Sequence, residues 1–352
     1  MRKIMNSEFK PSKLSPETRR KLLAFKRRRL GYFSFLILML LVFMSLFAEV
    51  ISNDKPLLIR YNHSWQMPLL KVYSDKDFGG IFETEADFQD PDTKQAISSN
   101  GNWAIWPINP WSYKTINQNP ALQHPSPPSR ENYLGTDDRG RDVFARLLYG
   151  IRVSVGFGVA GVLIYTIIGV IIGAIQGYFG GWVDLLMQRI IEIWDSLPYL
   201  YMLIILASLF EPGLGVLLFL LALFNWTRVQ EYVRVDFYKA RNLDYVKAAK
   251  ALGVSEVGIM MRHILPNSLT NIIIRLPFAV IGTIEALVSL DYLGFGVQSP
   301  TPSLGELFKQ AQSHLEAWWL LAFTGGVLLL LTLLVTNIGF TVLDTLDPRR
   351  NQ

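Results

Sequence analysis

The chain has 352 residues, half of them hydrophobic, with 18% charged residues and a net charge of +5. Its mean hydropathy is +0.25, which argues against an ordinary soluble domain. It has no cysteine, so disulfides and thiolate metal sites are excluded. His63, His124, His263 and His314 are scattered without metal-ligand spacing, and no P-loop, G-x-S-x-G or H-E-x-x-H is present. The sequence predicts no catalytic, cofactor-binding or metal-binding residue on this chain.

Residues 1–30 hold eleven Lys/Arg against Glu8 and Glu17, about +9, so the remainder is about −4. Ser15 as N-cap with Pro16 at the first helical position predicts a short juxtamembrane helix. The tail abuts an apolar run and lacks aromatic interleaving, so it fits anionic lipid headgroups rather than nucleic acid. A cleaved signal peptide is not expected, because Leu46-Phe47-Ala48 offers no small-x-small site.

A span of the hydrocarbon core needs about 20 mostly apolar residues. Runs at 32–51, 153–179 and 317–343 meet this, and 271–290 meets it with Arg275 and Glu285 inside. The stretch 196–227, punctuated by Glu211-Pro212-Gly213, reads as a hairpin of two spans. Six spans are thus predicted, at about 31–51, 153–179, 183–210, 213–235, 268–294 and 317–344. The basic tail stays cytoplasmic by the positive-inside rule. Six spans then return the C-terminus, residues 347–352, to that side, together with the basic segment 228–266. Arg139, Arg141, Arg146 and Arg152 fall on the outer side and count against this arrangement.

Between the first two spans, residues 52–146 form a large outer region rich in Asn, Asp, Pro and aromatics, expected to be loop-dominated with short strands. Pro125–Pro128 marks a linker within it. Its Trp103, Trp106 and Trp111 suit either docking of a soluble solute-binding protein or contact with ligand at the outer mouth, or else aromatic anchoring at the headgroup level or a small local core. In 134–143, Asp142 and Arg146 are expected to pair at i, i+4. Gly169, Gly173, Gly177, Gly180 and Gly181 favour close helix packing. Arg189, Glu192 and Asp195 share one helix face as a salt-bridge ladder. Glu285 lies at membrane depth, where charges are costly and functional. It either faces a translocation path or pairs with a group such as Arg189; Asp291 carries a weaker form of the same claim.

Residues 244–267 form a polar insert between apolar spans, read as two short helices hinged at Gly253. Asp244 is expected to cap the first, and Ala248, Ala249 and Ala251 to leave one face without bulk. Gly253 fits the left-handed stop, Ser255 caps the second helix, and Pro266 ends it.

The segment Lys247-Ala248-Ala249, Gly253 and His263-Ile264-Leu265-Pro266 resembles the E-A-A-x3-G-x9-I-x-L-P coupling loop of ABC importer permeases. Lysine replaces the glutamate and histidine the isoleucine. Leu134-Gly-Thr-Asp-Asp-Arg-Gly-Arg-Asp-Val143 is similar to the L-G-T-D-x-x-G-R-D-V segment of the peptide branch. Leu293-Gly294-Phe295-Gly296 with Pro302-Ser303-Leu304-Gly305, and the ending Leu346-Asp347-Pro348-Arg349, add two more matches. Most of 134–350 is covered, and the long outer region looks most like the Yej type, which imports peptides and microcin C.

The resemblance implies an all-α polytopic membrane protein of the type I ABC importer class, in the bacterial inner membrane with both termini cytoplasmic. It implies a permease domain over 147–346 with its coupling loop at 241–266. The coupling positions carry over onto Ala248, Ala249, Gly253, Leu265 and Pro266, joined in the candidate set by Asp244 and the two departures, Lys247 and His263. It also implies a second homologous permease, an ATPase with two nucleotide-binding domains that holds the ATP, a periplasmic peptide-binding protein and a peptide substrate. The competing class is an ion-coupled secondary transporter, which calls for internal repeats and several ionisable groups at midplane. Only Glu285 is at depth, and no repeat is visible.

Overall fold

The computed structural model describes residues 16–346 apart from 100, 120, 121, 211 and 212. The chain is mainly helical. Helix α1 (Pro16–Arg27) starts at the proline, and the residue assigned as its cap, Ser15, lies outside the described residues. α2 (Arg29–Leu46) is the first apolar helix; it breaks at Phe47 and continues as the short α3 (Ala48–Ile51). Gly31 lets α2 lie directly on Thr341 of α13 (Trp318–Leu346), and Arg28 bonds Asp344 at 2.5 Å.

Residues 52–142 form a loop-rich cap at one end of the bundle. It holds a three-stranded antiparallel sheet in the order β2 (Ser64–Gln66), β1 (Leu58–Tyr61), β3 (Trp103–Ile105). Helix α4 (Pro91–Ser98) starts at Asp90, whose side chain accepts from the amides of Asp92 and Thr93. Ile59, Phe78, Phe88 and Ile97 make a small core between these elements.

Helix α5 (Val143–Phe179) has 37 residues, about 55 Å at ~1.5 Å per residue, against a hydrocarbon core of about 30 Å. Its first ten residues therefore stand outside the predicted span, among the cap loops. Gly180 and Gly181, with φ +61° and +54°, turn the chain into α6 (Gly181–Asp195). α7 (Tyr199–Leu209) follows after a 76° bend. Among the described residues, five helices are long and apolar enough to cross a membrane, and six spans are reached by counting α6 with α7 as one broken span. Of the glutamate-proline-glycine break after α7, Glu211 and Pro212 lie outside the described residues.

α8 (Leu214–Ala240) then runs parallel to α5, its partners advancing from Trp226 to Arg234 as the α5 glycines advance from Gly169 to Gly177. Gly169, Gly173 and Gly177 make that contact possible. A Cβ on Gly169 would meet the Trp226 carbonyl oxygen at 2.7 Å, one on Gly173 the Gln230 oxygen at 2.6 Å, and one on Gly177 the Arg234 oxygen. α8 stays helical to Ala240, so Arg228 and Arg234 lie within the helix and not in the loop that follows it.

The chain is again helical from Glu256 to Leu293: α10 (Glu256–Ile259), a π-helical turn over Met260–Ile264, and α11 (Leu265–Leu293). The expectation that Pro266 ends a helix is therefore corrected. Proline removes a donor and collides with the carbonyl four residues earlier in a regular helix. Here it follows a wider turn, closed by Leu265 N–H to the Met260 oxygen, and takes a first-turn position of α11, where its missing N–H costs little. α12 (Leu304–Ser313) and α13 complete the fold. Residues 347–352, including the Asp-Pro-Arg ending, lie outside the described residues.

Candidate coupling loop and translocation cavity

At the end opposite the cap, α9 (Asp244–Ala251) and α10 form the hinged pair. Gly253 has φ +79°. Val254 N–H bonds the Ala249 oxygen at 3.1 Å and Gly253 N–H the Lys250 oxygen at 3.0 Å, the two bonds of a Schellman stop. Ser255 accepts from Gly258 N–H at 3.2 Å and caps α10 as its position predicts.

Two local expectations change. Leu243, in extended conformation, is the N-cap of α9, with no side-chain cap bond. Asp244 therefore sits one residue inside, where its charge faces the helix dipole, 3.7 Å from Lys247. The alanines also divide: Ala249 is buried beside Val246, whereas Ala248 and Ala251 face outward.

Val246, Ala249, Ile259, Met260 and Ile264 join Val233, Phe237 and Tyr178 in one core, so the loop is fastened to the ends of α5 and α8. Tyr178 donates to Glu256, and Lys250 pairs with Glu256 at 3.1 Å. The His263 oxygen accepts from Asn267 at 3.1 Å. Leu265 is half-buried and Pro266 exposed. What remains outside is apolar: Leu252 is 84% exposed, Val257 69% and Met261 57%. A rigidly anchored knob with an uncovered apolar tip can transmit a push to three long helices.

Between α5, α8 and α11 opens a cavity of about 1070 Å³. Tyr165, Tyr199, Asn225, Arg228, Tyr232 and Arg275 give it a polar lining. Arg275 lies over the Tyr232 ring at 4.8 Å, and Asn271 donates to Asp236 at 2.9 Å. Sequence reasoning missed this site. Its available signals were Arg275, a charge inside the apolar run 271–290, and Arg228, a charge following an apolar run that reads as the start of the next loop.

Glu285 is exposed on α11, one turn after the cavity residue Gly282 and directly before Ala286. Arg189, offered as its partner, instead bonds Glu192 at 2.5 Å, and Asp195 is not part of that pair. Asp291 is turned into the fold: its carboxylate accepts from Val297 N–H at 2.8 Å and Ser303 Oγ at 2.6 Å.

The cap end is held by buried charges. Arg141 bonds Asp137 at 2.6 Å and Glu306 at 3.0 Å, and Arg146, fully buried, also pairs with Glu306. Burial is the largest influence on Glu306 and raises its pKa, yet Arg146 and Arg141 together hold it below the ordinary 4.5. The expected Asp142–Arg146 side-chain pair does not form. Asp142 is the N-cap of α5, accepting from Ala145 N–H and Asn109 at 2.8 Å and from Asn132 at 2.9 Å. Burial raises its pKa against those bonds.

The three tryptophans are spread through the cap. Trp103 packs edge-on against Trp65 at 5.4 Å, Trp106 lies against the small core, and Trp111 donates to the Glu131 oxygen at 2.8 Å.

Known proteins match both ends of this architecture. The family described as binding-protein-dependent transport system inner membrane component matches residues 169–351. The inner membrane ABC transporter permease protein YejE of Escherichia coli is 46% identical over 96% of this chain and 99% of its own length. The peptidoglycan transport system permease protein YejE of Agrobacterium fabrum is 42% identical over 96% and 94%. The dipeptide transport system permease protein DppC of Bacillus subtilis is 37% identical over 63% and 70%. The first two similarities include the cap, and the family match takes in the glycine-lined α5–α8 contact, the hinged loop and the cavity lining apart from Tyr165. The chain therefore belongs to the binding-protein-dependent transport system inner membrane component family, as an ABC permease subunit.

Proposed function

We propose that this chain is the permease subunit of an ATP-driven importer that carries peptides across the inner membrane. The observation that carries this reading is the near end-to-end similarity to permeases whose names specify ABC transport and peptidoglycan transport, extended by the dipeptide permease. Peptide is the chemistry these substrates share. A binding protein delivers the ligand, a second permease closes the cavity, and an ATPase with two nucleotide-binding domains supplies the energy. The ATPase seats the exposed tip of 244–266, with Ala248, Gly253 and Leu252 at the contact and Leu265 and Pro266 at the start of the driven helix. The +9 tail supports placing both termini and this loop in the cytoplasm. On that side assignment, the cap faces the periplasm, where Trp103 offers a surface to the binding protein.

The test is reconstitution of the full complex in vesicles with labelled tripeptide. Uptake is expected only with both ATP and the binding protein. Uptake driven by an ion gradient without ATP would replace this reading with secondary transport, a class that no feature of the fold favours.

A further inference from the structure

Arg228 has no role in the coupling loop or the cap, and its position is unusual. It lies 14 residues from the start of α8 and 12 from its end, about 20 Å from either at ~1.5 Å per residue. Gly169 of α5 packs beside Trp226 and Val229, which puts Arg228 near the middle of the apolar stretch 153–179. A guanidinium at such depth is costly and is kept where it meets an ion pathway, a substrate or a partner charge. Arg228 is exposed to the cavity, and among the described residues no carboxylate lies within 4 Å of it.

The surroundings specify what it can receive. Tyr165, Tyr199 and Asn225 line the same cavity, and Asn225 Nδ2 lies 3.2 Å from Tyr199 Oη. One helical turn further along α8, about 6 Å by ~1.5 Å per residue, Arg275 lies over Tyr232. The cavity's other charges are Glu231, Asp236 and Lys239, all further toward the coupling-loop end of α8, with Asp236 already bonded by Asn271. Asp195 shares a smaller adjoining cleft with Arg228. The deepest charge in the cavity is therefore a lone arginine, with a second arginine one turn beyond it.

We propose that Arg228, followed by Arg275, forms a transit subsite for the acidic side chains of the imported peptide. The guanidinium fork matches a carboxylate bidentately, and a desolvated carboxylate needs such a partner at mid-membrane. Two stations one turn apart allow the anion to be handed on, since conduction needs binding that is favourable at each site but not final at any. The assignment rests on the peptide-import reading and names a specificity residue within it.

The test uses the complete complex in vesicles at saturating binding protein. Uptake of Ala-Glu-Ala and Ala-Lys-Ala is compared, with the amount of inserted complex measured for each variant. Arg228→Gln is expected to lower the acidic-to-basic uptake ratio by about fivefold or more, the lower range for a charge-assisted hydrogen bond in a wet cavity. Arg228→Glu lowers it further, Arg228→Lys keeps it near wild type, and Asp195→Asn leaves it unchanged. If Arg228→Gln reduces both peptides equally, Arg228 holds a carboxylate of the second permease instead and the proposal is overturned. It is also overturned if Asp195→Asn reproduces the Arg228→Gln effect, which marks an internal pair. Wild-type uptake with an unshifted ratio sinks this assignment alone. Absence of wild-type uptake for either peptide sinks the import reading and the assignment with it.

Discussion

Arg146 and Glu306 are 160 residues apart in the chain, yet they form a buried ion pair joining α5 to α12. Ser303 extends the connection, donating to Asp291 on α11 and accepting from Glu306 N–H at 3.1 Å. Three helices are thereby tied at the cap end. Removing Glu306 leaves the buried Arg141 and Arg146 sharing the single carboxylate of Asp137, a loss of about 3–5 kcal/mol. Glu306→Ala is expected to lower the melting temperature of the purified protein by several degrees, and an unchanged melting curve would show the pair to be dispensable.

The same carboxylate sets a pH response. Its pKa in the folded protein is held below the ordinary 4.5, so its contribution to stability is present above that value and is lost as pH falls through the depressed one. Wild-type melting temperature should fall between roughly pH 5 and pH 3 more steeply than that of Glu306→Gln, which lacks the titrating group. Parallel slopes for the two proteins would remove Glu306 as the source.

These relationships mark where sequence reasoning succeeds and where it stops. The long apolar helices and the Gly253 hinge are local signals, an uninterrupted run and a residue suited to φ > 0, and the fold keeps both. Asp142 and Arg146 have the spacing of a helix pair, but that spacing cannot show that Asp142 lies at the helix start, where the Ala145 amide competes for it. Nor can it show that Arg146 finds a carboxylate 160 residues away. Pro266 carries a strong local preference, yet whether it breaks a helix depends on the π turn before it. Arg228 ends a hydrophobic run in sequence, and only the fold reveals that the helix continues past it to Ala240.

The hinge itself can be probed. Gly253 has φ +79°, and a Cβ there would meet nothing within 4 Å, so the constraint is conformational and not steric. Gly253→Ala is expected to cost about 1–2 kcal/mol and leave much of the transport intact. Gly253→Pro demands φ near −65° and deletes the bond to the Lys250 oxygen. It should abolish uptake while the protein still inserts at normal levels, and wild-type transport in that variant would remove the coupling role.

Glu285 invites a charge-specific comparison. It is exposed beside the cavity residues of α11, and the arginine nearest in expectation is engaged with Glu192. Glu285→Gln is expected to depress uptake of cationic peptides by about fivefold, the scale of one charge-assisted hydrogen bond, with little effect on neutral ones. Equal depression of both would assign Glu285 to packing against the second permease.

The α5–α8 contact offers the sharpest steric contrast. A methyl group on Gly173 would press against the Gln230 oxygen at 2.6 Å, and one on Gly177 against the backbone of Arg234, whereas Gly156 on the same helix has nothing within 4 Å. Overpacking of this kind forces backbone shifts costing about 1–3 kcal/mol, and α8 cannot retreat freely because its end carries the anchored coupling loop. Gly173→Ala and Gly177→Ala should therefore lower both the melting temperature and uptake, since a displaced α8 also misplaces the loop. Gly156→Ala should be neutral or slightly stabilising, as alanine is the better helix former. The three substitutions add the same methyl group to the same helix, so equal melting temperatures among them would show that the helices adjust around the contact, and that its closeness is not what holds the loop in register.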